Sequence, residues 1–136
     1  MKKSIRNLKG SESRDVFKRH HKDLSQALYA CDLDFVLLAK EPVPDIVAAI
    51  DYKSDDDEIR FSEVIAYNAL VRRGIQVFIV QGDPETGAFQ ISRYEGGHHR
   101  KPRYTTTAVA TTKNWNEFEA WEFALRHQFG ERYGDY

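Results

Sequence analysis

Ile46-Val47-Ala48-Ala49-Ile50-Asp51-Tyr52-Lys53 runs through five apolar residues and ends on an acid and a lysine two positions apart. An apolar run this continuous implies a strand covered on both faces. In a strand, residues two apart leave the same face, so Asp51 and Lys53 project together beside Ala49. Charges carried at the end of such a strand must be paired or must bind something.

Upstream, Leu33-Asp34-Phe35-Val36-Leu37-Leu38 is a second strand, likewise expected to be covered on both faces. Lys40-Glu41-Pro42-Val43-Pro44-Asp45 interrupts it, because two prolines so close cannot sit in a central strand. The two strands are expected to pair as a hairpin, which brings Asp34 across from Asp51. Downstream, Ser62 to Arg73 predicts a helix with Val64, Tyr67, Leu70 and Val71 on one side and Gly74 to end it. Ile75-Gln76-Val77-Phe78-Ile79-Val80 follows as a buried strand, and the order strand, helix, strand predicts a parallel crossover.

Gly82 to Gly87 is a turn, and Ala88 to Tyr94 a further strand expected to be antiparallel and near an edge. Residues 95–104 predict an exposed basic loop, and Thr105 to Thr112 a short strand. A last helix begins near Asn114 or Asn116 with Trp115, Phe118, Trp121, Leu125 and Phe129 on a broad aromatic face, expected to be core. At the other end, Ser11 or Ser13 caps a first helix running toward Leu28. The expectation is an α/β (α+β) fold, a mixed β-sheet flanked by helices, in one domain over residues 1–136.

The 136 residues include 20 Lys and Arg against 21 Asp and Glu, 30% charged and 41% hydrophobic, an ordinary composition for a domain held by its own core. The single cysteine, Cys31, rules out an internal disulfide and favours a reducing, cytoplasmic setting. No signal peptide or membrane span is expected. The near-zero net charge conceals its distribution. Residues 1–22 hold eight basic residues against two acids, residues 92–113 hold five against one, and residues 45–63 hold seven acids against two bases. The acids Asp55 to Glu58 fit a solvated loop and match no calcium-loop spacing.

Two carboxylates held close, Asp34 and Asp51, repel each other unless a cation sits between them. Mg²⁺ or Mn²⁺ suits such oxygen ligands, and the Lys53 ammonium beside them can orient a water or stabilise charge on a phosphate. Together these groups make up a set for metal-assisted phosphodiester hydrolysis. At this point the sequence resembles the PD-(D/E)XK (restriction-endonuclease-like) nuclease superfamily, whose core is helix, three-stranded meander, helix, strand. Asp34 matches the first acid and Asp51-Tyr52-Lys53 the (D/E)-x-K element, over roughly residues 11–94. Leu33 stands where the proline of the family name would, and Asp32 competes with Asp34 for the first-acid role.

The resemblance implies a Mg²⁺- or Mn²⁺-dependent nuclease with Asp34, Asp51 and the Tyr52 backbone carbonyl as metal ligands and Lys53 at the attacking water. Glu63-Val-Ile-Ala-Tyr67 has the spacing of the Gln-x-x-x-Tyr element of some members. Glu63 and Tyr67 are therefore accessory candidates, with a helix-dipole acid as the competing reading of Glu63. Glu12 is the corresponding candidate from the first helix, or a cap-region acid. Lys9, Arg14, Lys18, Arg19, Arg100, Lys101 and Arg103 are expected to track a nucleic-acid backbone, with DNA favoured over RNA and a homodimer as the assembly. A catalytically inactive nuclease-fold binding or assembly module is the alternative. His20, His21, His98 and His99 lack the cysteine set of a structural zinc site.

Overall fold

The computed structural model describes residues 12, 13, 15, 16, 33–41, 43–54, 57–98 and 103–132. The chain divides into two compact units, residues 1–31 and 32–136. In the first, Glu12, Ser13, Asp15 and Val16 are helical and exposed; the rest of the expected first helix lies outside the described residues.

The second unit is a mixed α+β structure built on one five-stranded sheet with the order β1-β2-β3-β4-β5. Its strands are β1 Phe35–Ala39, β2 Asp45–Tyr52, β3 Gln76–Asp83, β4 Ala88–His98 and β5 Arg103–Thr111, with helices α1 Phe61–Arg72 and α2 Trp115–Arg132. β1 and β2 form the expected antiparallel hairpin, and α1 crosses over to place β3 parallel to β2. β4 and β5 then add on antiparallel to β3 and to each other.

Apolar residues on the two faces of β2 and β3 go to separate cores. Ala48, Ile50, Phe78 and Val80 join Phe89 and Ile91 beneath Phe118, Leu125 and Phe129 of α2. Ala49, Val77 and Ile79 join Tyr94 beneath Val64 and Tyr67 of α1. The helices thus cover opposite faces, which is why β2 and β3 read as continuous apolar runs. Val47 interrupts the alternation: Leu37 pairs with Ala48 and Leu38 with Ile46, leaving Val47 as the extra residue of a bulge. Both Val47 and Ala48 therefore reach the α2 side.

α1 ends as its sequence predicts. Gly74 has φ +79°, its amide donates to the Val71 carbonyl, and the Ile75 amide donates to the Leu70 carbonyl, both at 3.0 Å. This pattern caps the last turn with a residue in the left-handed region. α2 starts where Asn114 Oδ1 accepts the Glu117 amide at 2.9 Å, satisfying one of the free first-turn donors.

Two expectations need correction. β1 is an edge strand, not one covered on both faces: Phe35 is 63% exposed and Leu38 72%. An apolar sequence cannot distinguish an edge from a centre, since pairing partners are not encoded locally. β4 is antiparallel to β3 and near an edge, as expected, with only β5 outside it. Within residues 95–104, which predicted a loop, β4 continues to His98 and β5 begins at Arg103. Glycines and charges there weaken strand propensity, but cross-strand pairing overrides it.

Candidate active site

At the open end of the β1–β2 hairpin, Asp34 just precedes β1 and stands opposite Asp51. The Asp34 amide donates to Asp51 Oδ1 at 3.3 Å, and the Tyr52 amide donates to Asp34 Oδ2 at 2.7 Å. Asp51 is buried, at 2% exposure, and Lys53 leaves the same face, its Nζ 3.6 Å from Asp51 Oδ2. Two residues closing the sheet face are therefore charged, and α1 completes their surroundings.

Glu63 and Tyr67 are one helical turn apart on α1, so both point down onto that face. Glu63 Oε2 pairs with Lys53 Nζ, while Glu63 Oε1 accepts the Arg60 amide at 2.9 Å. The Tyr67 hydroxyl donates to Asp51 Oδ2 and lies 3.2 Å from Glu63 Oε2. Asp51, Lys53, Glu63 and Tyr67 thus form one connected polar cluster inside an otherwise apolar interface, and every buried side-chain polar atom among the described residues has a partner.

Burial governs the electrostatics of this cluster. It pushes the Asp51 carboxyl up to about 6; Tyr67 and Lys53 oppose the rise, and the facing Asp34 carboxylate adds to it. For Glu63, burial acts upward, yet the Arg60 amide and the Lys53 ammonium hold it below its ordinary value. Lys53 is pulled down by burial but held above its ordinary value by Glu63 and Asp51. Burial, Asp51 and Glu63 together hold the Tyr67 phenol far above its usual range, so it stays a proton donor.

Hard oxygens converge at Asp34 and Asp51. The Tyr52 amide points toward Asp34 whereas the Lys53 amide points the other way, to the Val80 carbonyl at 2.9 Å. In extended backbone the carbonyl of a residue leaves on the same side as its amide, so the Tyr52 carbonyl is directed toward Asp34. Two carboxylates and a main-chain carbonyl fit a small divalent cation that keeps several waters. The upward push of one carboxylate on the other is the mark of a pair that a cation would relieve. Among the described residues no three Asp, Glu, His or Cys side chains group as a ligand set, so such a cation would rest on these two acids.

The structure brings Asp34, Asp51, Lys53, Glu63 and Tyr67 together. Glu12 belongs to the first unit. Arg103 is exposed at the start of β5, and Lys9, Arg14, Lys18, Arg19, Arg100 and Lys101 lie outside the described residues, as do Asp32, Asp55 and Asp56. The sequence reading missed Arg60, whose amide anchors Glu63 as α1 begins. The signal was an acid three residues into a helix, which reaches back to the amide before the first turn. Comparison with protein-family models, curated proteins and solved structures gave no match. Among the described residues no helix is long and apolar enough to cross a membrane.

Proposed function

We propose that the chain is a small Mg²⁺- or Mn²⁺-dependent nuclease with a PD-(D/E)XK, restriction-endonuclease-like core, hydrolysing phosphodiester bonds of nucleic acid in the cytoplasm, with DNA preferred to RNA. One observation carries the reading: buried Asp51 and half-buried Lys53 share one strand face with Asp34 opposite and a Glu-x-x-x-Tyr helix closed over them. The hairpin, crossover helix and parallel strand agree with the core that the resemblance implies, although two strands rather than three precede α1 among the described residues.

Asp34, Asp51 and the Tyr52 carbonyl would hold the cation. When bound, Mg²⁺ or Mn²⁺ polarises a phosphoryl oxygen and acidifies water. Lys53 supplies a fixed ammonium that orients the attacking water or offsets negative charge developing on the phosphate. Glu63 is a positioning residue for that ammonium, and Tyr67 for Asp51. The basic segments 1–22 and 92–113 would contact the phosphate backbone, and a homodimer would cut two strands with two sites.

The deciding assay offers duplex, single-stranded and branched DNA, and RNA, with and without Mg²⁺ or Mn²⁺. Cleavage should require metal and be abolished in Lys53→Ala and Asp51→Asn. Cleavage that survives either substitution rules the assignment out. A second reading is a non-catalytic nucleic-acid-binding or assembly module of the same fold. It is favoured by the way Lys53 and Tyr67 already satisfy the Asp51 carboxylate, as in a structural ion pair. It predicts chelator-insensitive, salt-dependent binding without turnover.

A further inference from the structure

β4 outruns β3. Their pairing ends at Phe78 opposite Arg93, yet β4 stays paired with β5 as far as His98 opposite Arg103. The far end of the β4–β5 hairpin therefore has no β3 partner. Asn68 of α1 takes that place at Gly97: its Oδ1 accepts the Gly97 amide at 3.1 Å, and its Nδ2 donates to the Gly97 carbonyl at 2.8 Å. A side-chain amide bonded to both groups of one residue imitates a neighbouring strand. Asn68 Oδ1 also accepts the Tyr94 hydroxyl at 2.9 Å.

The fit is close. A Cβ on Gly97 would lie 2.6 Å from the Arg103 carbonyl oxygen and 2.7 Å from the Tyr94 hydroxyl oxygen. Tyr94 in turn packs edge-on against Tyr67, ring centres 5.1 Å apart, and the Tyr67 hydroxyl bonds Asp51. One helix thus holds the Asp51 carboxylate with Tyr67 and the hairpin end with the next residue.

We infer that Asn68 is a positioning residue for nucleic-acid binding: by latching Gly97 to α1 it fixes Arg103, one step beyond Gly97 across the hairpin, as a phosphate contact in register with the Asp51 centre. The inference rests on the nuclease reading of that centre. Arg103 is exposed and its strand is otherwise rich in uncharged Thr, so it is the cation that the latch places.

The test follows binding of a fluorescent DNA duplex to the full chain in EDTA, by anisotropy between 50 and 200 mM NaCl as the working range, since each phosphate contact contributes about 0.9 to the logarithmic salt slope. Arg103→Ala and Asn68→Ala should each lower the slope by about one contact, and the double variant by no more than either, because both remove the same contact. Mn²⁺ binding by calorimetry should be unchanged in all three. Amide exchange should show Gly97 protected in the wild type and unprotected in Asn68→Ala. Asn68→Asp, which keeps both accepted bonds, covers a misfolded alanine variant and should retain Gly97 protection and part of the slope. An unaltered slope in Asn68→Ala, additive losses in the double variant, or an unprotected Gly97 amide in the wild type overturns the inference while leaving the metal centre standing. A wild type that binds neither Mn²⁺ nor duplex overturns the nuclease reading itself and the role of Arg103 with it.

Discussion

Oδ1 of Asp51 accepts the main-chain amide of Asp34 at 3.3 Å, so the two acids face each other across the open end of the hairpin. Only one of them is buried. Asp51 is pushed up to about 6 chiefly by that burial. The cluster around it converts this asymmetry into measurable dependences on pH and on single atoms.

Because Asp51 rises from 3.8 to about 6 on folding, its contribution to stability is present below pH 4 and is lost as pH rises through 6. Asp51→Asn removes that loss. In urea titrations with EDTA, the variant should gain on the wild type by about 1–3 kcal/mol between pH 4 and pH 7. A difference that stays constant over this range would contradict a buried, upward-shifted carboxyl.

Tyr67→Phe deletes the donor to Asp51 and leaves a fully buried ring otherwise in place. Losing one hydrogen bond to a buried carboxylate costs about 1–3 kcal/mol, so the variant should lose about that much at pH 7. At pH 4 Asp51 carries its own proton and the deficit should shrink. Equal deficits at the two pH values would show that Tyr67 acts through packing alone.

Glu63 divides its oxygens between Lys53 and the Arg60 amide, which makes it a holder of the lysine rather than a ligand. If the proposed metal-dependent nuclease reading holds, Mn²⁺ should raise the wild-type Tm, and Glu63→Gln should keep that rise while turnover falls about tenfold to a hundredfold. Asp34→Asn and Asp51→Asn should abolish the rise. A Glu63→Gln protein with no Mn²⁺ response would move Glu63 into the ligand set.

Gly87 has φ +82°, and a Cβ there would run into the Asn114–Trp115 peptide at the start of α2. Gly87→Ala should cost about 2 kcal/mol or more, combining backbone strain with that collision. Thermal unfolding checks it, and a Tm within a degree or so of the wild type would mean the turn and α2 can separate freely.

Much of this arrangement can be read from residue order. The charged end of the apolar β2 run, the prolines of the 40–45 turn and Gly74 after α1 all act locally, through φ/ψ preference and periodicity. Asp51 and Lys53 are legible because a carboxylate and an ammonium at the end of a covered strand contradict their surroundings. The exposure of β1 and the length of β4 are not, since both depend on which strand lies alongside. Glu63 is ambiguous for a similar reason: a first-turn acid looks the same whether its second oxygen meets water or a lysine.

The bulge at Val47 divides β2 into two reading frames. From Ala48 onward the frame is shared by pairing with β3 and with Phe35–Leu37 of β1, and it decides that Asp51 faces α1. Before it, pairing with β1 sets another. Removing Val47 by a single-codon deletion should regularise the ladder and spare the charged cluster, whereas deleting Ala49 would turn one side of the strand inside out relative to its neighbour. A codon-deletion scan would thus find tolerance and intolerance two positions apart, and this protein could shed a residue at Val47 without disturbing the charged cluster.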